Sequence, residues 1–254
     1  MLSRLAFWLL FPLVVPQALY VRKTAPRFKG AAGSPFGRVG KGDVCSLLAI
    51  GDSLIEGVGA QTLDKALVGQ TAKSIAARFS VAVDWIAFGK IGATTEKVHE
   101  VLLPKIPARQ FDVILVSVGV NDVTGLTRTA KFEGNLRGLV VALHAQCPQA
   151  QIAIAGLPPM NEFPLLPRPL RWLLGWRSKT FDSIVARVAA ERPLVVHIPV
   201  DIEPDPVKFA GDGYHPSESG YADFGEGISD ALQPVGKNGS YVGSGNVTPI
   251  RQGL

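Results

Sequence analysis

With 254 residues, 47% of them apolar and 19% charged, the chain suits one domain with tails or two small domains, and its composition excludes disorder over most of its length. The formal net charge of +5 is concentrated in two stretches, one holding Arg22, Lys23, Arg27, Lys29, Arg38 and Lys41, the other Arg168, Arg171, Arg177 and Lys179. Such an excess suits an anionic surface, but no helix-turn-helix, zinc-finger or RNA-recognition pattern accompanies it, so nucleic acid is not expected as a partner.

The chain opens on an apolar run over residues 5–21, preceded by Arg4, carrying Phe7, Trp8, Phe11 and Tyr20 and interrupted by Pro12 and Pro16. Residues 1–22 read as an uncleaved membrane anchor or interfacial helix, and the heavier positive charge behind them favours the cytoplasmic face. A cleaved signal and an exported, periplasmic protein form the alternative, although Gln17-Ala18-Leu19-Tyr20 makes a poor cleavage site. The plainest alternative is a helix packed on the domain itself. Residues 23–43, rich in Gly, Pro and basic residues, read as a linker. Residues 44–233 read as one domain, and 234–254, without apolar periodicity, as a flexible tail. Cys45 and Cys147 match no metal-ligand spacing and are too few for a disulfide framework; they read as small buried hydrophobes.

Within the domain, residues 46–50 (SLLAI) form a first predicted strand, followed by helical spacing over 66–79. A strand over 81–88 and a helix over 95–103 come next. Residues 112–118 (DVILVSV) are nearly all apolar, as in a strand buried on both faces. A helix over about 131–145, a strand over 151–155, a helix over 178–191, a strand over 194–198 and a helix over 217–232 complete the series. This alternation predicts an α/β fold, with a parallel sheet of about five strands and helices on both faces. Ligands bind such sheets beyond the carboxyl ends of the strands.

The polar motifs fall there. Gly51-Asp52-Ser53-Leu54 follows the first strand and can present a serine hydroxyl at the sheet edge; the alternative is a capped turn, with Asp52 or Ser53 bonded to nearby amides. Gly89-Lys90-Ile91-Gly92-Ala93-Thr94-Thr95 follows the second strand, and its free amides suit an anion. It is no phosphate loop, because Asp84 stands where the leading glycine should be and no Ser or Thr follows Lys90. Gly119-Val120-Asn121-Asp122 follows the third strand; Asn121 can donate to a developing oxyanion, or the pair can simply form a turn. In Asp212-Gly213-Tyr214-His215-Pro216, an Asp and a His three apart can touch, the carboxylate fixing the imidazole tautomer. His99 and His144 fall in helical stretches and His197 in a strand, leaving His215 alone in a loop beside a carboxylate. Together the motifs supply a nucleophile, a base, its orienter and oxyanion donors, which are the parts of acyl transfer.

On these blocks the chain resembles the SGNH (GDSL) hydrolases, and among them bacterial lysophospholipase-L1-like proteins. The matches are Ser53 in GDSL, Gly92 in GKIGATT, Asn121 in GVND and His215 in DGYHP, with Asp212 completing a triad, all in order within residues 47–232. The second block departs from the pattern: Ala87 and Ile91 stand where many members carry Asn and Ser. The resemblance implies a flavodoxin-like three-layer α/β/α sandwich with strand order 2-1-3-4-5. It implies hydrolysis of carboxylic esters, of short- to medium-chain or lysophospholipid-like type, through Ser53. The amides of Ser53 and Gly92 and the Asn121 side chain would form the oxyanion hole, with no metal or organic cofactor. A carbohydrate O-deacetylase or acyltransferase on the same site, and a non-catalytic membrane-tethered binding protein, are the alternatives. Residues 157–176 are proline-rich and apolar and follow the fourth strand. They read either as a loop overhanging the site, with Met160, Phe163, Leu166 and Trp172 as candidate contacts to a small-molecule or lipid ester, or as a packed crossover.

Overall fold

The structure, a computed structural model, describes residues 2–200 and 205–234. The tail expected over 234–254 lies outside these residues save for its first position. Six strands form one sheet in the order β1-β3-β2-β4-β5-β6. At its centre β2 (Val44–Gly51) runs parallel to β3 (Ala82–Gly89) on one side and to β4 (Val113–Ser117) on the other. Beyond β4 the parallel array continues through β5 (Gln151–Ala155) and β6 (Val195–Ile198). These five strands have the expected 2-1-3-4-5 order.

The sixth strand corrects the linker reading. β1 (Phe36–Val39) pairs antiparallel with β3 at the sheet edge, making the sheet mixed. Four residues that include Gly37 and Arg38 carry too little apolar content to announce a strand. What holds them is the ladder to β3, from Phe36 opposite Ile86 to Val39 opposite Val83; Arg38 also pairs with Asp84 at 3.5 Å, and Gly37 lies so close to the Trp85 ring that a side chain there would collide with it.

The central strands are buried on both faces, which explains their continuous apolar runs. Leu48 and Ile50 of β2 and Ile114 and Val116 of β4 face one helical layer; Leu47, Ala49, Val113 and Leu115 face the other. The second layer is α2 (Leu67–Phe79) and α7 (Glu218–Ala231), packed closely enough that Gly225 meets the backbone at Gln70 and Thr71. The first layer holds α3 (Thr95–Lys97), α4 (Val120–Thr124), α5 (Thr129–Gln146) and α6 (Leu170–Ala190). After α3 the chain widens into a π-turn over Val98–Leu102 and closes in a 3₁₀ turn over Leu103–Lys105. Both cysteines are buried and free, and burial pushes the Cys45 thiol up to about 12.

The N-terminal run forms α1 (Leu2–Thr24), and its inner face packs along α6. Phe7 and Val14 are buried, and Phe11, Ala18 and Val21 pack partly buried against the same core, so positions 7, 11, 14, 18 and 21 form one stripe. Gln17 donates to the Arg168 carbonyl at 2.8 Å and accepts from the Leu170 amide at 3.1 Å. The Arg177 guanidinium sits 5.2 Å from the Phe7 ring and 4.6 Å from the Phe181 ring, and donates to the carbonyls of Val123 and Thr127. Among the described residues no helix is long and apolar enough to cross a membrane. On one face, α1 is committed to the domain, as in the packed-helix alternative.

Tyr221, fully buried on α7, donates to the Val58 carbonyl at 2.6 Å and fastens the loop after β2 to the last helix. Tyr221→Phe leaves that buried acceptor without its donor. Urea titration should show a loss of about 1–3 kcal/mol in unfolding free energy, with the native circular dichroism spectrum retained.

Candidate active site

The site is assembled at the carboxyl ends of β2, β3 and β4 and in the loop before α7. Past Gly51 the ladder continues for one bond, Asp52 N–H to the Ser117 carbonyl at 3.0 Å. The chain then curls, with the Val58 amide donating to the Ser53 carbonyl at 3.0 Å. Ser53 Oγ lies 3.0 Å from His215 Nε2, and His215 Nδ1 lies 2.6 Å from Asp212 Oδ2. The other oxygen, Asp212 Oδ1, accepts the amides of Tyr214 and His215 at 2.9 and 3.0 Å. Burial pushes the Asp212 carboxyl up, but the hydrogen bonds from the His215 ring and these two amides outweigh it and hold the group below the usual carboxylate range. An ionised Asp212 keeps a proton on Nδ1 and leaves Nε2 to accept from the serine. Gly59, at φ +100°, lies where any side chain would strike the Pro216 carbonyl, so the serine loop and the histidine loop touch directly.

Two buried acids, named in the sequence only as turn residues, tie the motifs together. Asp52 Oδ1 accepts from the Leu54 amide at 3.2 Å and from Ser117 Oγ at 3.4 Å. Asp52 Oδ2 accepts from Asn121 Nδ2 at 3.3 Å, and that same nitrogen donates to the Ala93 carbonyl at 3.0 Å. Asp122 Oδ2 accepts both the amide and the hydroxyl of Thr95 at 2.8 Å, which fixes the segment after β3 against α4. Gly92 takes φ +74° in that segment, and its amide makes no hydrogen bond among the described residues. The Leu54 amide is the local turn partner expected of Asp52, but Ser117 and Asn121 stand 65 and 69 positions from it and Thr95 stands 27 from Asp122, so no local pattern could have revealed those ties.

Ser53, Gly92, Asn121 and His215 line one cavity of about 440 Å³, walled by apolar groups that include Val120, Phe163, Ile198, Phe209 and Phe224. That volume lies within the range of small-molecule sites.

Over residues 49–222 the sequence matches the GDSL-like lipase/acylhydrolase family. The chain belongs to that family. It is a carboxylic ester hydrolase. No curated protein matches the sequence. Among solved structures it is similar to the lipase Lip_vut3 from a goat rumen metagenome, at 19% identity and a TM-score of 0.60, over 74% of this chain and 97% of that one. It is similar to the psychrotrophic esterase EstA of Pseudoalteromonas sp., solved with monoethylphosphonate as inhibitor, at 21% identity and TM-score 0.54, over 73% and 95%. It is also similar to the acetylxylan esterase Axe2 of Geobacillus stearothermophilus, at 18% identity and TM-score 0.54, over 76% and 95%. At these identities the likeness is one of fold.

Of the four contacts expected from residues 157–176, the hydrolase brings only Phe163 to the cavity. Its ring meets Tyr214 edge-on at 5.0 Å and Phe209 at 5.7 Å, and Tyr214 in turn meets His215 at 5.2 Å. Met160 and Leu166 are buried in the core below. Trp172 is exposed and lines a groove beside α1 instead. The reason is the start of α6, eight residues before the expected 178. Helical phase sends Leu170, Leu173 and Leu174 inward and Trp172 outward. His197 makes a pair of its own with Asp182, at 2.8 Å, and Asp182 also accepts the Leu157 amide.

Burial raises the Asp52 carboxyl to about 6, against lowering contributions from the Leu54 amide, His215 and Ser117. Because the folded value lies above the unfolded one near 3.8, the folded state holds this proton more tightly, and ionisation weakens folding as pH rises from about 4 to about 6. Asp52→Asn removes that titration. Whatever constant offset the substitution introduces, the unfolding free energy of the variant minus that of the wild type should increase between pH 4 and 6 and level off above, as urea titrations along a pH series would show.

Proposed function

We propose that Ser53 is the nucleophile of an acyl-enzyme mechanism acting on carboxylic esters with short- to medium-chain acyl groups, lysophospholipid-like esters included. The observation that carries this reading is the unbroken chain Ser53–His215–Asp212 opening on an apolar cavity. His215 Nε2 removes the Ser53 proton as Oγ bonds to the ester carbonyl carbon, and the π electrons pass to the carbonyl oxygen. The amides of Ser53 and Gly92 and the Asn121 side chain hold that oxyanion. Collapse breaks the bond to the alkoxide, which takes its proton from the His215 imidazolium. Water, deprotonated by His215, then attacks the acyl-enzyme; the second collapse returns Ser53 and frees the carboxylic acid. Asp212 orients the ring and stabilises the imidazolium without taking its proton. The apolar walls, Phe163 and Phe209 among them, favour an acyl chain over a sugar in the cavity.

Ser53→Ala should lower turnover of p-nitrophenyl esters by a factor on the order of 10⁴–10⁶ while leaving the fold intact. An alkyl fluorophosphonate should label the wild type once, at Ser53, and not the variant. Retained turnover in purified Ser53→Ala protein would overturn the assignment. On an acyl series from acetate to palmitate, kcat/KM should peak between butyrate and decanoate; a preference for acetate alone would argue for a deacetylase.

Asn121→Ala should lower kcat by roughly 10²–10³ and change KM less, because the amide meets charge that exists only in the transition state. Steady-state kinetics on the preferred ester measures both.

A further inference from the structure

α1 has an outer face that the domain leaves uncovered, and it is apolar. Leu9 and Leu13 are 78% and 74% exposed, and Leu10, Leu19 and Tyr20 are exposed beside them. Beside this face, at the start of α6, Trp172 and Trp176 stand one turn apart, 57% and 50% exposed. With Pro169 and Leu173 they meet Leu10, Leu13 and Val14 across a shallow groove of about 410 Å³. Single exposed apolar side chains are ordinary, but a contiguous patch built from two helices, with two tryptophans in it, is not. A helix that met only water on its outer side would carry charge there; residues 5–21 carry none.

Along residues 2–24 and 163–181, which carry the patch, the charge has one sign. Exposed Arg22 and Lys23 occupy the last turn of α1. The exposed Arg168 holds its guanidinium 5.5 Å from the Trp172 ring, and the exposed Lys179 follows Trp176 along α6. No Asp or Glu occurs in residues 2–24 or 163–181. α1 precedes residue 49, where the family match begins, so the α1 side of this face is an addition to the matched region, while the α6 side lies within it.

We propose that this face docks on an anionic lipid surface, with α1 lying in the plane of the interface. Phe7, Val14 and Gln17 hold the helix on the domain, so it offers the bilayer one face and keeps the other. Tryptophan is the side chain suited to the headgroup level, one end apolar and the other a donor. The basic rim is complementary to phosphate headgroups, whereas in a symmetric contact between two copies it would face itself. Phe163 of the cavity wall and Pro169 of the docking face lie on one short connection, so a docked molecule carries this wall of its site close to the lipid.

The test is co-sedimentation of the full chain with extruded vesicles, of phosphatidylcholine alone and of phosphatidylcholine mixed with phosphatidylglycerol. The Ser53→Ala protein serves as well as the wild type, so the outcome is independent of the ester reading. Binding is expected on the mixed vesicles, weaker on phosphatidylcholine, with tryptophan emission shifted to the blue. Leu9→Glu/Leu13→Glu should weaken partitioning roughly tenfold or more and leave hydrolysis of soluble p-nitrophenyl acetate unchanged. Arg22→Gln/Lys23→Gln should weaken it about tenfold on the mixed vesicles and little on phosphatidylcholine. Wild-type protein that stays in solution with both vesicles, or that binds as well after Leu9→Glu/Leu13→Glu, overturns the proposal. So does a dimer in light scattering that the same double variant converts to monomer, which would make a second copy the occupant.

Discussion

A carboxylate removed from water is expensive to keep charged, and the site is organised around one that is kept. Asp52 is almost wholly buried, and three donors from three parts of the chain converge on it: the Leu54 amide, the Ser117 hydroxyl and the Asn121 amide. The Leu54 and Ser117 donors offset part of the desolvation penalty, which still leaves the carboxyl above its ordinary range. In return, the turn carrying Ser53, the end of β4 and the start of α4 share one atom group and one relative position. One strand over, Asp122 Oδ2 takes both donors of a single residue, fastening Thr95 and with it the Gly92 segment. The ends of β2, β3 and β4 are thus held together by these acids as well as by backbone bonds, Asp52 N–H to the Ser117 carbonyl and Lys90 N–H to the Gly51 carbonyl.

The fourth motif arrives by a different route. His215 lies 162 positions from Ser53, and its loop is held to the serine loop by steric contact at Gly59 and by the Tyr221 bond to Val58. Closing so long a stretch of chain is entropically unfavourable. Here the closure is supported by α7, which packs Tyr221 and Ile228 into the core shared with α2. A side chain at position 59 would act on the histidine without touching it.

How much of this was legible in the chain depends on whether the determinant was local. The buried strands announced themselves because Leu47–Ile50 and Val113–Val116 must be apolar on both faces. β1 did not, because its strand character comes from antiparallel pairing with β3 and not from its own four residues. Trp172 was misplaced for a phase reason: a helix begun eight residues early turns that position outward. Ser53, Asn121, Asp212 and His215 could be picked out because each sits in a short polar motif after an apolar strand or before the last helix. Asp52 and Asp122 occur in the same motifs, yet their significance lies in partners far along the chain. For α1 the composition was informative about apolarity and silent about which face the domain would take.

The arrangement at Asn121 has a consequence for selectivity. Both hydrogens of its side-chain amide are engaged, one by the Ala93 carbonyl and one by the Asp52 carboxylate at the longer distance of 3.3 Å. A new acceptor must therefore compete with one already in place. A neutral ester carbonyl is a weaker acceptor than a carboxylate and has little to gain from the exchange; an oxygen acquiring full negative charge competes on equal terms. In the mechanism proposed above, the resident acceptor would act as a threshold, the amide changing partners late, when the bond to the serine is forming, rather than early, when the ester merely arrives.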